Sequence, residues 1–395
     1  MSHPILVLRF AFSSIKYSLV DVDSRAEIVH GKAHGIGETV GEIVHTQDGH
    51  SYQAEKPLPG NDEALAAIVA MIQAHSPTTE IAAVAHRVVH GGDLFTGATL
   101  IDDDVIAAIE RFAPLAPEHN PCAAGGIRAA QRMFADVPHV AVFDTAFFTD
   151  LPPAVSTYAL PAELTQRLHI RKYGFHGTTH AYVSERVSLL LGHDDLRQIV
   201  CYLGKGSSVS AVSAGRPVEV STGFTTVEGL PMRSRCGSID PGIHHYVMSQ
   251  TGMGIAEFDR ILNESSGLYG LTGLTDMRKI WAALDAGDAN AKLAIDLCVH
   301  RIVSYISAYH GILGGAQAIS FTGAVGENDV RLRQAVCDRL ECLGVRLDPE
   351  TNARTHGDTR SRIISTALSE VAVLMVQQKD SLAMARQTAA LLGWH

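Results

Sequence analysis

The chain has 395 residues, 46% of them hydrophobic and 19% charged; that excludes a disordered protein and exceeds one ordinary core, so two packed domains are expected. A formal net charge of −10 argues against a nucleic-acid-binding face and leaves small anionic substrates open, because a few local arginines serve those. Six cysteines lack metal-ligand spacing, no leader-like N-terminus or long uncharged apolar run occurs, and reduced thiols, a cytoplasmic location and no membrane passage are expected.

The first expected elements are a strand over 5–10, a Ser-Ser turn carrying Lys16, and a second strand over 17–22. Such a hairpin presents backbone N–H groups to a phosphate, yet Arg9, Phe10, Ala11 and Phe12 stand where small or polar residues are usual. A helix over 62–75 and a strand over 82–89 follow. His86-Arg87-Val88-Val89-His90-Gly91-Gly92 puts Arg87 at a buried strand end, where its planar fork suits a carboxylate or phosphate or simply satisfies carbonyls. Helices over 103–112 and 121–134 lead to a strand over 139–143. Asp144 ends that strand at its carboxyl edge, where α/β folds place active residues. Leu151-Pro152-Pro153 then breaks the chain and marks the expected passage between halves.

In the second half, His176 and His180 have the i, i+4 spacing of a zinc pair. No third ligand accompanies them, so no metal is expected there and His180 is expected to cap or pack in a helix over 180–191. Strands over 198–203 and 209–213 flank Gly204-Lys205-Gly206-Ser207-Ser208, whose glycines let an anion approach the backbone, although Gly-Ser turns also occur as plain turns. This unit repeats the opening hairpin about 190 residues later, and reads either as duplicated domains sharing one polyphosphate or as chance similarity. Arg235 lies in a polar Gly- and Pro-containing loop, with Arg233 a solvated neighbour. A helix over 289–313 precedes a strand over 318–322 and the turn Phe321-Thr-Gly-Ala-Val-Gly-Glu-Asn328. A helix over 329–343, carrying Cys337 and Cys342, would aim its positive end at a ligand, or the turn is a plain connection. A strand-like stretch over 363–376 and a final helix over 380–392, returning to the first domain, complete an α/β alternation.

Taken in order, HRVVHGG (86–92), PLAPEHNP (114–121), VFDTAF (142–147), YGFHGTTH (173–180), YLGKGSSV (202–209), STGFTTVEGL (221–230), RCGSIDP (235–241), GLTDMR (273–278) and FTGAVGEN (321–328) resemble the acetate kinase family of ATP:carboxylate phosphotransferases. The resemblance spans nearly the whole chain. It implies duplicated actin-like (ribonuclease H-like) α/β domains facing across a cleft. The first would comprise 1–150 plus 379–395, the second 151–378 with the nucleotide pocket and a homodimer surface. It implies reversible phosphoryl transfer from ATP, with Mg2+, to acetate or a related short-chain carboxylate. By position, Arg87 resembles the arginine that holds the substrate carboxylate, with Val89, Phe175 and His119 beside it. Asp144 resembles the aspartate near the attacking oxygen, and His176 and Arg235 the pair that stabilises the phosphoryl group in flight. Ser14, Lys16, Gly204, Lys205 and Gly206 match phosphate-contacting positions. Asp276, Met277, Arg278, Gly326, Glu327 and Asn328 match the adenosine side, and Asp380 a metal-associated carboxylate.

The departures are local. Arg9 stands for the family Asn of the first hairpin, Ala11 for its Gly and Phe12 for its first Ser, while Ser13, Ser14 and Lys16 remain. Lys205 replaces the Asn of the second turn, Asp380 a Glu, Glu118 a Leu and Thr226 a Pro. Arg9 and Lys205 are thus expected to add positive charge near the metal-phosphate complex, partly replacing the metal or favouring a donor such as pyrophosphate. Glu118 is expected either to pair with Arg9 or to point away, and, if it faces the acyl pocket, to favour a more polar acid. The rival reading is a weakened homologue that binds nucleotide or acyl phosphate without efficient turnover.

Overall fold

The computed structural model describes residues 3–354 and 361–394. The chain packs as two units, one running to Thr149 and resuming at Lys379, the other spanning Asp150–Gln378.

An eight-stranded sheet carries the first unit. Its strands are β1 (Pro4–Ala11), β2 (Ser14–Asp21), β3 (Ala26–His34), β4 (Gly41–Gln47), β5 (His50–Lys56), β6 (Ala83–Val88), β7 (Thr99–Leu100) and β8 (His139–Phe143), in the order β5-β4-β3-β2-β1-β6-β8-β7. β1 to β5 are an antiparallel meander, and β6 and β8 continue parallel to β1. β1 is an unbroken apolar run from Ile5 to Leu8 because both sheet faces are covered there. Leu6, Leu8 and Ile15 pack with Leu65 and Ile68 of helix Asn61–His75. Ile5, Val7 and Val20 pack with Met384, Ala385 and Ala389 of the closing helix Asp380–Leu391.

The register Ala11↔Ser14 leaves Phe12 and Ser13 as the turn, so Ser14 and Lys16 belong to β2 rather than to the turn expected from sequence. β3, β4 and β5 escaped the sequence reading for a physical reason. β5 is exposed at nearly every position and carries no apolar alternation to detect.

The second unit has a six-stranded sheet of β9 (Arg197–Leu203), β10 (Ser207–Ser213), β11 (Arg216–Val220), β12 (Ala318–Thr322), β13 (Arg362–Ile363) and β14 (Ala372–Met375), ordered β11-β10-β9-β12-β14-β13. β9, β10 and β11 are antiparallel neighbours, and β12 and β14 run parallel to β9. The run β11-β10-β9-β12-β14 therefore repeats β3-β2-β1-β6-β8 in order and direction. The hairpin repeat read from the sequence belongs to a repeat of whole sheets.

Four expectations are corrected. The Gly-rich stretch after β12 is itself a short helix, Gly323–Asn328. Asp329 Oδ1 accepts from Leu332 N (2.9 Å) and caps a separate helix, Val330–Cys337, so Cys337 and Cys342 do not share a helix. The stretch 363–376 is not one strand, because the antiparallel pair β13 and β14 is joined by a polar turn through Thr366 and Ser369. The helix expected from His180 begins earlier, as Gly177–Leu191, which puts His180 inside its first turn.

Candidate active site

β6 and β8 lie side by side and deliver Arg87 and Asp144 to one edge of the first unit's sheet, where Asp144 N donates to Val88 O (2.9 Å). Arg87 Nε and Nη2 donate to Asp144 Oδ1 (3.0 Å) and Oδ2 (2.5 Å), a two-point fork on a buried carboxylate. The arginine side chain of this charge-paired fork is 36% exposed. The double-Gly turn beside it is fixed from two directions. Asn120 Oδ1 accepts from His90 N (3.1 Å), Asn120 Nδ2 donates to His90 O (2.9 Å), and Gly91 N donates to Thr145 Oγ1 (3.0 Å). Gly92 has φ 62°, and any side chain there would enter the Phe112 ring. Burial pushes the His90 imidazole down to about 4, so it is neutral and its Nδ1 accepts from Gly92 N (3.0 Å). Val89 and His119 are both half-buried, His119 immediately preceding helix Asn120–Met133.

At the first hairpin, Arg9, Lys16 and Lys32 stand directly opposite one another across β1, β2 and β3, and so share one sheet face. Arg9 Nη2 donates to Ser381 Oγ (2.5 Å), Nη1 lies 3.9 Å from Asp380 Oδ2, and Ser381 Oγ donates to Ser18 Oγ (2.9 Å). Arg9 thus engages the start of the closing helix, not Glu118, which is exposed. Phe12 at the tip is 93% exposed, whereas Phe10 packs on Gly126, where any side chain would overlap its ring. Opposed like charges repel, and Asp380 offsets one of the three; the row attracts anions.

In the second unit, His176 has φ 60°, a left-handed conformation that is uncommon for a histidine. Its Nδ1 lies 3.0 Å from Ser208 Oγ, and its ring leans on Tyr202 at 4.4 Å between centroids. A Cβ placed on Gly206 would stand 3.1 Å from His176 Nε2 and 3.7 Å from Arg235 Nη1, so imidazole and guanidinium converge on the bare Gly204–Gly206 turn. Arg235 is held there by its loop, since Met232 N donates to Arg235 O and Leu268 N to Met232 O (both 3.0 Å). Phe175 is buried, with its N donating to Thr222 Oγ1 (3.0 Å), and Lys205 is exposed on the turn.

Farther along, Asp276 Oδ1 accepts from Arg278 N (2.9 Å) and Nε (3.0 Å), and Oδ2 from Nη2 (2.6 Å). Those bonds hold its carboxyl down to about 2, and the pair caps helix Met277–Asp285, with Met277 half-buried on the core. The Gly326 and Glu327 carbonyls accept from Nη1 of the buried Arg333 (2.7 and 2.8 Å), closing the short helix. Glu327 Oε1 accepts from Gly323 N (3.1 Å) and Gln378 N (2.9 Å), so this carboxylate holds the backbone together. Asn328 Nδ2 donates to Ala324 O (2.9 Å).

Sequence reasoning missed Lys32, Asn120 and Ser210, put Ser207 and Ser208 in the turn where the structure places them in β10, and expected His180 to cap or pack in its helix. The serines carried a usable signal: at 208 and 210 they alternate with Val209 and Ala211 and so face the same side of β10.

The model of the acetokinase family matches residues 4–386. Acetate kinase of Leifsonia xyli subsp. xyli is 45% identical over 389 residues, 97% of each chain. The crystal structure of Porphyromonas gingivalis acetate kinase superposes with a TM-score of 0.93 at 35% identity, covering 99% of this chain and 100% of that one. A propionate kinase from Francisella tularensis gives 0.92 at 34% identity, covering 98% of both.

Proposed function

The chain belongs to the acetokinase family, and from that premise we propose that it transfers the terminal phosphoryl group of ATP to acetate, reversibly, giving acetyl phosphate and ADP. Its units carry the duplicated actin-like fold of the acetate and propionate kinases it superposes on. The observation that carries the reading is the Arg87–Asp144 fork at the carboxyl ends of adjacent parallel strands. The charged fork is partly exposed there, as a small carboxylate requires.

In this reading Arg87 binds the acid, and Val89, Phe175 and His119 contact its short chain. A carboxylate oxygen attacks the γ-phosphorus, the bond to the β–γ bridging oxygen breaks, and ADP leaves with that electron pair. Such a transfer asks the protein mainly for positioning and for positive groups around the equatorial oxygens. Arg235 supplies positive charge and His176 a ring N–H donor beside it. Asp144 holds Arg87 in place near the attacking oxygen. Ser14, Lys16, Gly204, Lys205 and Gly206 contact phosphates, and the segments 276–278 and 326–328 receive the adenosine.

Magnesium accompanying the nucleotide would take one or two protein carboxylates besides phosphate oxygens and water. Asp380 is the carboxylate at this place, with Arg9 Nη1 3.9 Å away, and the described residues contain no group of three ligating side chains. A guanidinium against a lone carboxylate fits a protein-held cation poorly. We propose that Arg9, in its row with Lys16 and Lys32, supplies part of the charge that donor phosphates need, which widens donor choice toward pyrophosphate. A cytoplasmic location and a homodimer belong to the same reading. It is supported by the lack of any described helix long and apolar enough to cross a membrane, and by exposed apolar side chains on helices Gly242–Thr251 and Ile255–Glu264.

A hydroxamate assay of acyl phosphate formation, across acids and donors and with Arg235→Ala as control, tests the proposal. Acetate or propionate with ATP should be turned over, and ATP with EDTA should retain measurable rate. Strict dependence on ATP and magnesium at ordinary rates would remove the role given to Arg9. No acyl phosphate from any acid would favour the nucleotide-binding homologue instead. A clear preference for acetate or propionate refutes a polar-acid role for Glu118.

A further inference from the structure

Behind His176 lies a line of hydrogen bonds that no step above uses. Ser208 Oγ is 3.0 Å from His176 Nδ1 and 2.7 Å from His180 Nε2, and Ser210 Oγ is 2.7 Å from His180 Nδ1. Ser208, His180 and Ser210 are all fully buried. The line runs from the sheet interior to the ring that meets Gly206.

The direction of the line follows from counting hydrogens. A neutral imidazole has one N–H, and each hydroxyl has one O–H to give. Burial holds His180 well below the ordinary imidazole range, so it carries one proton. Suppose that proton sat on Nδ1. His180 would then donate to Ser210, and the buried Ser210 hydroxyl, whose one side-chain partner among the described residues is this ring, would find no protein acceptor there. With the proton on Nε2 every hydrogen is used. Ser210 donates to His180 Nδ1, His180 Nε2–H donates to Ser208, and Ser208 donates to His176 Nδ1. His176 must then carry its own proton on Nε2, the nitrogen beside Gly206 and near Arg235 Nη1.

We propose that Ser210, His180 and Ser208 are positioning residues that fix His176 as the neutral Nε2–H tautomer, so that it meets the transferring phosphoryl group as an N–H donor rather than as a cation. This rests on the phosphotransferase reading of the Gly204–Gly206 turn and deepens it. A proton arriving on Nδ1 would oppose the Ser208 hydroxyl and reverse the whole line. Arg235, the charged group converging on the same turn, further disfavours a second cation. The left-handed backbone of His176 is the local cost of holding the ring in this line.

Nitrogen-15 histidine spectra of the full-length protein test this directly. The His176 signals, assigned with His176→Gln, should show an unprotonated Nδ1 and a protonated Nε2 at neutral pH. Ser208→Ala should give mixed tautomers, with kcat lowered roughly tenfold to a hundredfold and KM for acid and donor within about threefold of wild type. His180→Gln, whose side-chain amide can still donate to Ser208, should keep more activity than His180→Leu. If His180→Leu does not fold, Ser208→Ala and the wild-type spectrum decide alone. A protonated Nδ1 in the wild type, or an unchanged kcat in Ser208→Ala, overturns the relay. Failure of the wild type to make any acyl phosphate would overturn the phosphotransferase reading, and the spectra would still decide the tautomer.

Discussion

Arg87 commits two of its nitrogens, Nε and Nη2, to Asp144 before any substrate arrives. The fork is thereby fixed in plane, and under the proposed role it needs little further ordering when a carboxylate binds. Lysine keeps the charge but not the geometry. Arg87→Lys should raise KM for the acid by roughly tenfold or more, with donor KM little changed, as initial-rate kinetics would show. Equal losses in both KM values would mean a general collapse of the site. A sequence can display Arg87 before a double glycine and Asp144 at a strand end. It could not show that the two grip each other, because 57 positions separate them and only the β6–β8 register brings them together.

Among elements, β6 and β8 share a second bond that shapes how the protein responds to acid. His139 Nε2 meets the Phe134 carbonyl at 3.0 Å, which can only accept, so that nitrogen carries the proton. His139 Nδ1 then accepts from His86 Nε2 (2.9 Å). Burial lowers both imidazoles, His86 well below its ordinary value. The sign follows. As pH falls below about 6.5, the unfolded chain takes up protons on these rings while the folded one does not. Stability is therefore present above that pH and is lost as acid is added, by up to about 1.4 kcal/mol per pH unit for each ring within the window. Thermal unfolding between pH 6.5 and 5 should show this slope, and His86→Leu should flatten it whatever its own Tm. An unchanged slope would place the acid sensitivity elsewhere. The elements legible in the sequence were those with a buried stripe or face: β1, β8, β12 and helix Ala289–Ile312. The polar edge strands and the split at Asp329 were not, because exposure erases the periodicity of one and a single capping carboxylate decides the other.

For the whole molecule, the same sheet motif is built twice, once around the Arg87–Asp144 edge and once around the Gly204–Gly206 turn. Each unit reuses one topology and varies its strand ends. The second unit also leaves Tyr246 65% and Ile255 73% exposed, with helix Gly242–Thr251 burying none of its residues. If these side chains form the dimer contact, Tyr246→Glu should move the protein from dimer to monomer in light scattering, without altering its far-UV circular dichroism. A wild type that is already monomeric at micromolar concentration sinks that assignment.

The closing helix Asp380–Leu391 sets the order in which the protein can be made. Met384, Ala385 and Ala389 cover Ile5, Val7, Val140 and Val142, residues synthesised long before them. At ribosomal rates of about 5–20 residues per second, that apolar face waits tens of seconds for its cover. The unit that begins first is completed only when the closing helix emerges, so nascent chains of this enzyme carry that uncovered sheet face until then. Termination before the closing helix leaves the oldest part of the polypeptide open to chaperones and proteases.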